Sequence, residues 1–225
     1  KAAELLAASG YYEIQTNSLT SPKYAEKTPG INPEENVNIL NKLSEELGVM
    51  RQSLLHGGLE VIAYNISHRQ KDLKLFEFGK TYHKKGAKYK EKEYLSLWAT
   101  GNYEPEHWQR KTRPLEFPDF YLVVQKIMNK FMASDYAGHP FNDDIFAVGL
   151  KLFFKEKEVA RLGKISKTIT SQVGIQQDIY YSEIDFNGLL FENAGAFRFK
   201  EISKFPEVRR DLSLVIDKKI TFGEI

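Results

Sequence analysis

Apolar side chains recur at helical intervals in three parts of the chain. Residues 1–9 (KAAELLAAS) carry alanine and leucine at helical density, and Gly10 follows where a C-terminal cap belongs. Between residues 54 and 67, and between 120 and 131, apolar positions three or four residues apart predict two longer amphipathic helices. These positions are Leu55, Leu59, Ile62 and Ile66 in one, and Phe120, Val124, Ile127, Met128 and Phe131 in the other.

Runs rich in aromatic and β-branched residues predict strands between these helices. The predicted strands cover residues 11–19, 37–40, 73–82, 93–100, 145–154, 158–165, 179–184 and 212–216. Short polar turns connect several of them, which predicts hairpins, one with a solvated lysine-rich loop at 84–92. The predicted fold class is therefore α+β, with a mainly antiparallel sheet flanked by helices.

Two adjacent glycines, Gly57 and Gly58, lie near the start of the second predicted helix. Each lowers the helix propensity by roughly 1 kcal/mol relative to alanine, so their presence predicts close backbone packing at this point. A phosphate-binding loop is the weaker interpretation, because no lysine followed by serine or threonine completes the motif.

The sequence contains no recognisable catalytic or metal-binding motif. There is no Gly-x-Ser-x-Gly elbow, no phosphate-binding loop and no His-Glu-x-x-His pattern. The chain has no cysteine, and its five histidines do not pair at helical metal-ligand spacing, so structural zinc is not expected. The adjacent carboxylates Asp143-Asp144 and Glu45-Glu46 are interpreted as solvated.

Composition narrows the class of protein. The chain has 225 residues, 42% of them hydrophobic, which suffices for a large core. The absence of cysteine favours a cytoplasmic setting, and no apolar run approaches a membrane span. The first residue is Lys1 rather than methionine, so we expect a fragment of a longer protein.

A net charge of +2 provides no general affinity for nucleic acid, and no DNA partner is expected. Local basic segments at 84–92 and 110–113 nevertheless leave an RNA-binding module as an alternative. Tyr103 and Trp108 could form a stacking platform beside the second segment. The favoured interpretation is that these loop aromatics pack under their own segment.

Four blocks carry a family resemblance along the whole chain. They are residues 50–55 (MRQSLL), 75–80 (LFEFGK), 101–108 (GNYEPEHW) and 205–215 (FPEVRRDLSLV). In this order they resemble the C-terminal half of the β subunit of bacterial phenylalanyl-tRNA synthetase.

The resemblance implies a catalytic-like class II synthetase module at 1–200 and the truncated start of a ferredoxin-like anticodon-binding domain at 201–225. It also implies an α2β2 holoenzyme that joins phenylalanine to tRNA with ATP and magnesium. The active sites of that family lie in the α subunit, the implied partner. The helix at 1–9 and the strand after it lie where class II folds form their dimer interface, so we expect a subunit contact there.

The same resemblance predicts a site without catalytic residues. Active class II enzymes carry a strand of the form Leu-x-x-Ile-Gly-x-x-Phe-Arg-x-Glu, whose arginine holds the adenylate. Aligning Phe78-Gly79 with Ile-Gly puts His83 at the arginine and Lys85 at the glutamate, and no arginine ends the stretch 179–190. We therefore predict no catalytic, cofactor-binding or metal-binding residue in this chain. The basic end of the strand is interpreted as a solvated hairpin end.

Three hypotheses remain at this stage. The first is a degenerate module that supports the α subunit and links it to tRNA-binding parts. The second is an active ligase in which His83 or the lysine-rich turn replaces the missing arginine. The third is the RNA-binding module. Whether residues 205–225 are ordered, and which surface contacts the α subunit, are not fixed by the sequence.

Overall fold

The computed structural model describes residues 1–42, 44–132, 136–188, 208–217 and 219–220. The chain divides into two compact units, Lys1–Ala194 and Gly195–Ile225. All helices and strands below belong to the first unit. The boundary between synthetase-like and anticodon-binding domains near residue 200 stays a prediction.

The first unit contains five α-helices and ten strands within the described residues. The helices are α1 (Ala2–Ala8), α2 (Lys23–Lys27), α3 (Leu55–Ser67), α4 (Phe117–Met132) and α5 (Lys167–Ser171). The strands are β1 (Tyr12–Glu13), β2 (Leu19–Thr20), β3 (Val37–Asn38), β4 (Val49–Met50), β5 (Leu73–Lys85), β6 (Lys88–Thr100), β7 (Ala137–Phe141), β8 (Phe146–Phe154), β9 (Lys157–Ile165) and β10 (Ile179–Asp185). Short 3-10 helices span Pro33–Glu35 and Glu45–Leu47.

Seven strands form the main sheet in the order β1-β5-β6-β10-β9-β8-β7. All neighbours are antiparallel except β1 and β5, which pair in parallel through Tyr12 opposite Leu75. Strands β2, β4 and β3 form a small second sheet. The predicted α+β class with a mainly antiparallel sheet is confirmed.

Each face of the main sheet is covered by helices, because alternate residues of the central strands are apolar on both sides. On one face, Phe76, Leu95 and Leu97 pack with residues of α1 and α4. On the other, Leu75 and Trp98 pack with residues of α3. The predicted helical stripes are confirmed, because Leu55, Leu59 and Ile62 on α3, and Phe120, Val124, Ile127 and Met128 on α4, are buried.

The glycine pair of α3 packs as predicted. A Cβ on Gly58 would lie 2.1 Å from Cε2 of the Trp98 ring, and one on Gly57 would lie 2.6 Å from Oγ1 of Thr16. Real Cβ atoms do not approach other atoms so closely, so Gly58 lets the helix reach the sheet and Gly57 lets it reach the segment at Thr16.

Two of the predicted strands and one predicted loop differ from the structure. The run 11–19 forms only β1 and β2, because the chain pairs with β5 of the main sheet at β1 and with β4 of the second sheet at β2. The predicted loop 84–92 is mostly strand, because the β5–β6 ladder continues to Lys85 opposite Lys88. Residues 212–216 are not a strand, and Leu212 and Val215 are exposed. A strand needs a hydrogen-bonded neighbour, and none pairs with this segment among the described residues.

Candidate functional site

One face of the central sheet carries a row of polar side chains beneath α3. The strand register places Glu77 of β5 opposite Ser96 of β6, Ser96 opposite Glu183 of β10, and Glu183 opposite Arg161 of β9. Glu77, Ser96 and Glu183 are buried. Buried carboxylates require partners, because an unpaired charge away from water is strongly disfavoured. We call these four residues the polar row.

Arg51 pairs with the first carboxylate of the polar row. Its Nη1 donates to Oε1 of Glu77 at 2.8 Å and to Oγ1 of Thr16 at 2.7 Å. Its Nε donates to the carbonyl of Lys80 at 3.0 Å, and the hydroxyl of Thr16 donates to Oε2 of Glu77 at 2.7 Å. The side chains of Arg51 and Glu77 are only 7% and 1% exposed, so the ion pair is shielded from water.

Gly79 makes room for this ion pair. A Cβ at this position would lie 2.5 Å from Nη2 of Arg51 and 2.3 Å from Cδ2 of Leu54. The glycine that aligns with the nucleotide-binding strand of active enzymes therefore lets an internal arginine lie across β5.

The second carboxylate of the polar row is also paired. Nε and Nη2 of Arg161 donate to Oε2 of Glu183 at 3.0 and 2.6 Å. Ser53 and Tyr181 donate their hydroxyls to Oε1, each at 3.3 Å. The charge of Glu183 raises the pKa of Arg161, and burial raises the pKa of Tyr181. Arg161 therefore stays cationic and Tyr181 stays a neutral donor at physiological pH.

A cleft of about 370 Å³ opens beside Arg51. Its charged lining residues are Arg51, Lys80, Glu77 and Glu93, so two cations face two carboxylates. Lys80 lies 3.7 Å from Glu93, and Arg51 pairs with Glu77. The positive charges that a triphosphate would need are thus already compensated within the chain. The remaining lining residues are Gln15, Thr16, Ser18, Phe78, Gly79, Tyr82, Tyr94 and Phe186.

His83 and Lys85, at the aligned clamp positions, are not simply solvated. Nδ1 of His83 lies 3.1 Å from Oε2 of Glu35, and Nζ of Lys85 lies 3.9 Å from Oε1 of the same carboxylate. His83 is only 21% exposed. The interpretation as a solvated hairpin end is therefore wrong for His83, because the 3-10 helix Pro33–Glu35 packs beside β5 and supplies a carboxylate.

The segment 110–113 contains one arginine that is already engaged. Nη1 and Nη2 of Arg113 donate to the two carboxylate oxygens of Asp119 at 2.6 and 2.7 Å. The guanidinium also lies 4.1 Å from the centre of the Tyr103 ring, on which Nζ of Lys74 sits at 4.9 Å. Tyr103 is thus packed as predicted, whereas Trp108 is 86% exposed, so the favoured interpretation is wrong for Trp108.

Among the histidines, His56 is buried in α3. Its ring stacks on Tyr24 with centroids 3.9 Å apart, and Nε2 lies 2.8 Å from Oγ1 of Thr28. Burial lowers the pKa of His56 to about 4, so the ring is neutral at physiological pH. Within the described residues no group of three or more His, Asp or Glu side chains is arranged to hold a metal ion.

The polar row and Arg51 were not identified from the sequence as a site. Arg51 stands in the sequence only within a block that carries the family resemblance. A usable signal was present, because Glu77 in LFEFG and Glu183 in YYSEID each stand inside an apolar strand. Carboxylates in such positions predict buried partners. What could not be foreseen is which cations, far away in sequence, would reach them.

The fold is that of a class II tRNA synthetase. A solved structure of Desulfitobacterium hafniense PylSc, a pyrrolysyl tRNA synthetase, superposes with a TM-score of 0.63 at 13% identity, covering 85% of this chain and 65% of that one. The sequence then defines the family. Residues 1–186 match the phenylalanyl tRNA synthetase beta chain CLM domain, and the chain belongs to this family.

Curated relatives agree over nearly the full chain. The phenylalanine–tRNA ligase beta subunit of Bacteroides fragilis is 35% identical over 99% of this chain, and that of Porphyromonas gingivalis is 30% identical over 99%. The chain spans 29% of the length of each relative. In the described part of the chain, no helix has the length and apolar character needed to cross a membrane.

Proposed function

We propose that this chain is the catalytically inactive class II module of a phenylalanine–tRNA ligase β subunit. In this proposal the module supports the catalytic α subunit of a cytoplasmic α2β2 enzyme that charges tRNA with phenylalanine, using ATP and magnesium bound elsewhere. It also links that subunit to tRNA-binding parts through residues 201–225, the truncated start of an anticodon-binding domain. The observation that carries the proposal is the internal pairing of the polar row.

Catalysis by a class II fold requires a cation that is free to hold the α-phosphate as negative charge moves during adenylate formation. The ion pairs of Arg51 and Arg161 lie on the same face of the sheet as His83, the aligned clamp position, because Glu77 and His83 are an even number of residues apart on β5. Both arginines are held by carboxylates of their own chain at 2.8 and 2.6 Å. Releasing Arg51 would leave the buried carboxylate of Glu77 without its cation, which costs about 3–5 kcal/mol. Arg161 is 37% exposed, so releasing it from Glu183 costs less.

The active-ligase hypothesis finds little support in the geometry. His83 contacts Glu35 rather than an open cleft, and a histidine cannot form the two parallel hydrogen bonds that arginine gives to phosphate. Lys85 reverses the charge of the aligned glutamate. Adenylate-dependent pyrophosphate exchange by the isolated chain would revive this hypothesis.

The surface that we propose for the α subunit is formed by α1 and β1. Strand β1 is the edge of the main sheet, with two residues only, and Tyr12 on it is 74% exposed. An exposed aromatic at a sheet edge is a typical anchor for a protein partner. Helix α1 buries Ala2 and Leu6 in the core, so its other side faces away from the core.

Co-expression with the α subunit tests the proposal. We expect the β chain to copurify with the α subunit, and we expect tRNA charging only from the complex. Tyr12→Ala should weaken copurification, whereas Tyr64→Ala, at a tyrosine on α3 that is 65% exposed, should not. Failure of the wild-type chains to associate, or charging by the β chain alone, would contradict the proposal.

A further inference from the structure

The hairpin of β5 and β6 extends beyond the rest of the sheet. The two strands pair without interruption from Leu73 opposite Thr100 to Lys85 opposite Lys88. Strand β10, the other neighbour of β6, stops at Asp185 opposite Tyr94. Beyond Tyr94, β6 therefore has no second strand beside it in the described part of the chain. The outer part, residues 80–93, is a two-stranded ribbon.

The strand register separates the charges of this ribbon onto two faces. Directly opposed residues of an antiparallel pair lie on the same face, and successive pairs alternate. One face carries Thr81 opposite Lys92, His83 opposite Lys90 and Lys85 opposite Lys88. It contains basic residues and a threonine but no carboxylate of its own. We call this the basic face.

The other face of the ribbon is compensated. It carries Lys80 opposite Glu93, Tyr82 opposite Glu91, and Lys84 opposite Tyr89. Nζ of Lys80 lies 3.1 Å from Glu91 and 3.7 Å from Glu93. The excess of positive charge therefore lies on one face only, and a count of lysines in 84–92 would not reveal this.

Glu35 compensates positive charge only on the β5 side of the basic face. It contacts His83 and Lys85, and no carboxylate forms an ion pair with Lys88 or Lys90 in the described residues. Like charges placed directly opposite one another destabilise a sheet. The arrangement of Lys85 opposite Lys88 is thus unfavourable in the free chain and becomes favourable when an anion lies across it.

The spacing of the β6 lysines fits a linear polyanion. Residues two apart on a strand lie about 7 Å apart on the same face, so Lys88, Lys90 and Lys92 form a straight exposed row about 14 Å long. Lysine binds phosphate as a point charge and needs no fixed acceptor geometry, which suits a sugar–phosphate backbone. A row of this kind matches one phosphodiester strand better than the scattered carboxylates of a protein surface.

We propose that the basic face of the β5–β6 ribbon, through Lys88, Lys90 and Lys92, binds the phosphate backbone of the RNA substrate. This inference rests on the proposed function, in which tRNA is the RNA substrate of the enzyme. It assigns the contact to one face of one ribbon and excludes Arg113, which is held by Asp119.

The test uses the full-length β chain assembled with its α subunit. The variant Lys88→Gln/Lys90→Gln/Lys92→Gln removes three charges from the basic face. The matched control Lys27→Gln/Lys71→Gln/Lys157→Gln removes three charges from exposed lysines on other elements. Filter binding of tRNA is measured at several salt concentrations for both variants and the wild-type complex.

We expect the ribbon variant to bind tRNA about tenfold more weakly and to lower the slope of log affinity against log salt by about 2–3. The control should match the wild type in tRNA affinity and in salt slope. Wild-type affinity and slope in the ribbon variant would overturn the inference while leaving the proposed function intact. Impaired assembly with normal tRNA affinity would also overturn it and would indicate an acidic protein surface. Failure of the wild-type chains to assemble would instead count against the proposed function.

Discussion

At the scale of single residues, the buried ion pair of Arg51 and Glu77 gives the strongest prediction about stability. Arg51→Met leaves Glu77 buried without its cation, and we expect the free energy of unfolding to fall by about 3–5 kcal/mol. Urea denaturation gives this value. The control Lys80→Met breaks only exposed ion pairs and should cost much less than Arg51→Met.

A double substitution separates the charge from the packing. Arg51→Met combined with Glu77→Leu removes both charges, so it should recover much of the lost stability. If Arg51→Met alone costs less than about 1 kcal/mol, the pair is not shielded and the account of the polar row is wrong.

His56 makes stability depend on pH. Its pKa falls from 6.5 to about 4 on folding, so below pH 6.5 the unfolded chain binds more protons at this residue than the folded chain does. The stability that neutral His56 allows is therefore present above pH 6.5 and is lost as the pH falls toward 4. Between pH 7.5 and 5 we expect a loss of about 2 kcal/mol from this group.

The measurement compares wild type with His56→Phe, which keeps a ring against Tyr24. Other groups titrate equally in both proteins, so the difference between their unfolding free energies isolates His56. Parallel pH profiles for the two proteins would show that the ring is not held neutral.

At the scale of elements, the approach of α3 to the sheet depends on Gly58. Alanine there would raise helix propensity by about 1 kcal/mol but place a methyl group against the Trp98 ring. Overpacking of this kind costs about 1–3 kcal/mol, so we expect net destabilisation in thermal unfolding. In a Trp98→Phe background the same alanine should cost less, and an equal cost in both would contradict the contact.

The ribbon of β5 and β6 offers a test in which a substitution should increase stability. Lys88→Glu places a carboxylate opposite Lys85, so the ribbon should become more stable by about 0.2–1 kcal/mol. Amide hydrogen exchange at the end of the hairpin reports this gain. Lys84→Glu, opposite Tyr89 on the other face, serves as the control and should show no comparable gain. Slower exchange in neither variant would show that the opposed lysines do not repel one another.

The elements foreseen from the sequence were those with strong local patterns. The stripe on α3 and α4 and the hairpin of β8 and β9 follow from residues close in the chain. Strand β7 was missed because Gly138 and Pro140 are poor strand residues. The sequence predicts a loop where the ribbon continues, because a run of lysines is typical of solvated loops. The antiparallel pairing nevertheless continues to Lys85 opposite Lys88.

At the scale of the whole molecule, the family was identified from collinear blocks and is confirmed by the match of residues 1–186 to the beta chain domain. The candidate site was harder to predict from the sequence. The substitutions His83 and Lys85 could be read from the sequence, but the pairing of Arg51 with Glu77 joins positions 26 residues apart. Arg161 and Glu183 meet only because β9 and β10 lie side by side. Such pairs depend on topology, which no local pattern contains.

The central claim of the proposed function is that this class II fold pairs Arg51 and Arg161 with carboxylates of its own chain. Calorimetric titration of MgATP into the purified chain tests this claim most directly. We predict no detectable binding heat, because Arg51 and Arg161 are not free to hold phosphate. Saturable binding with micromolar affinity would contradict the account.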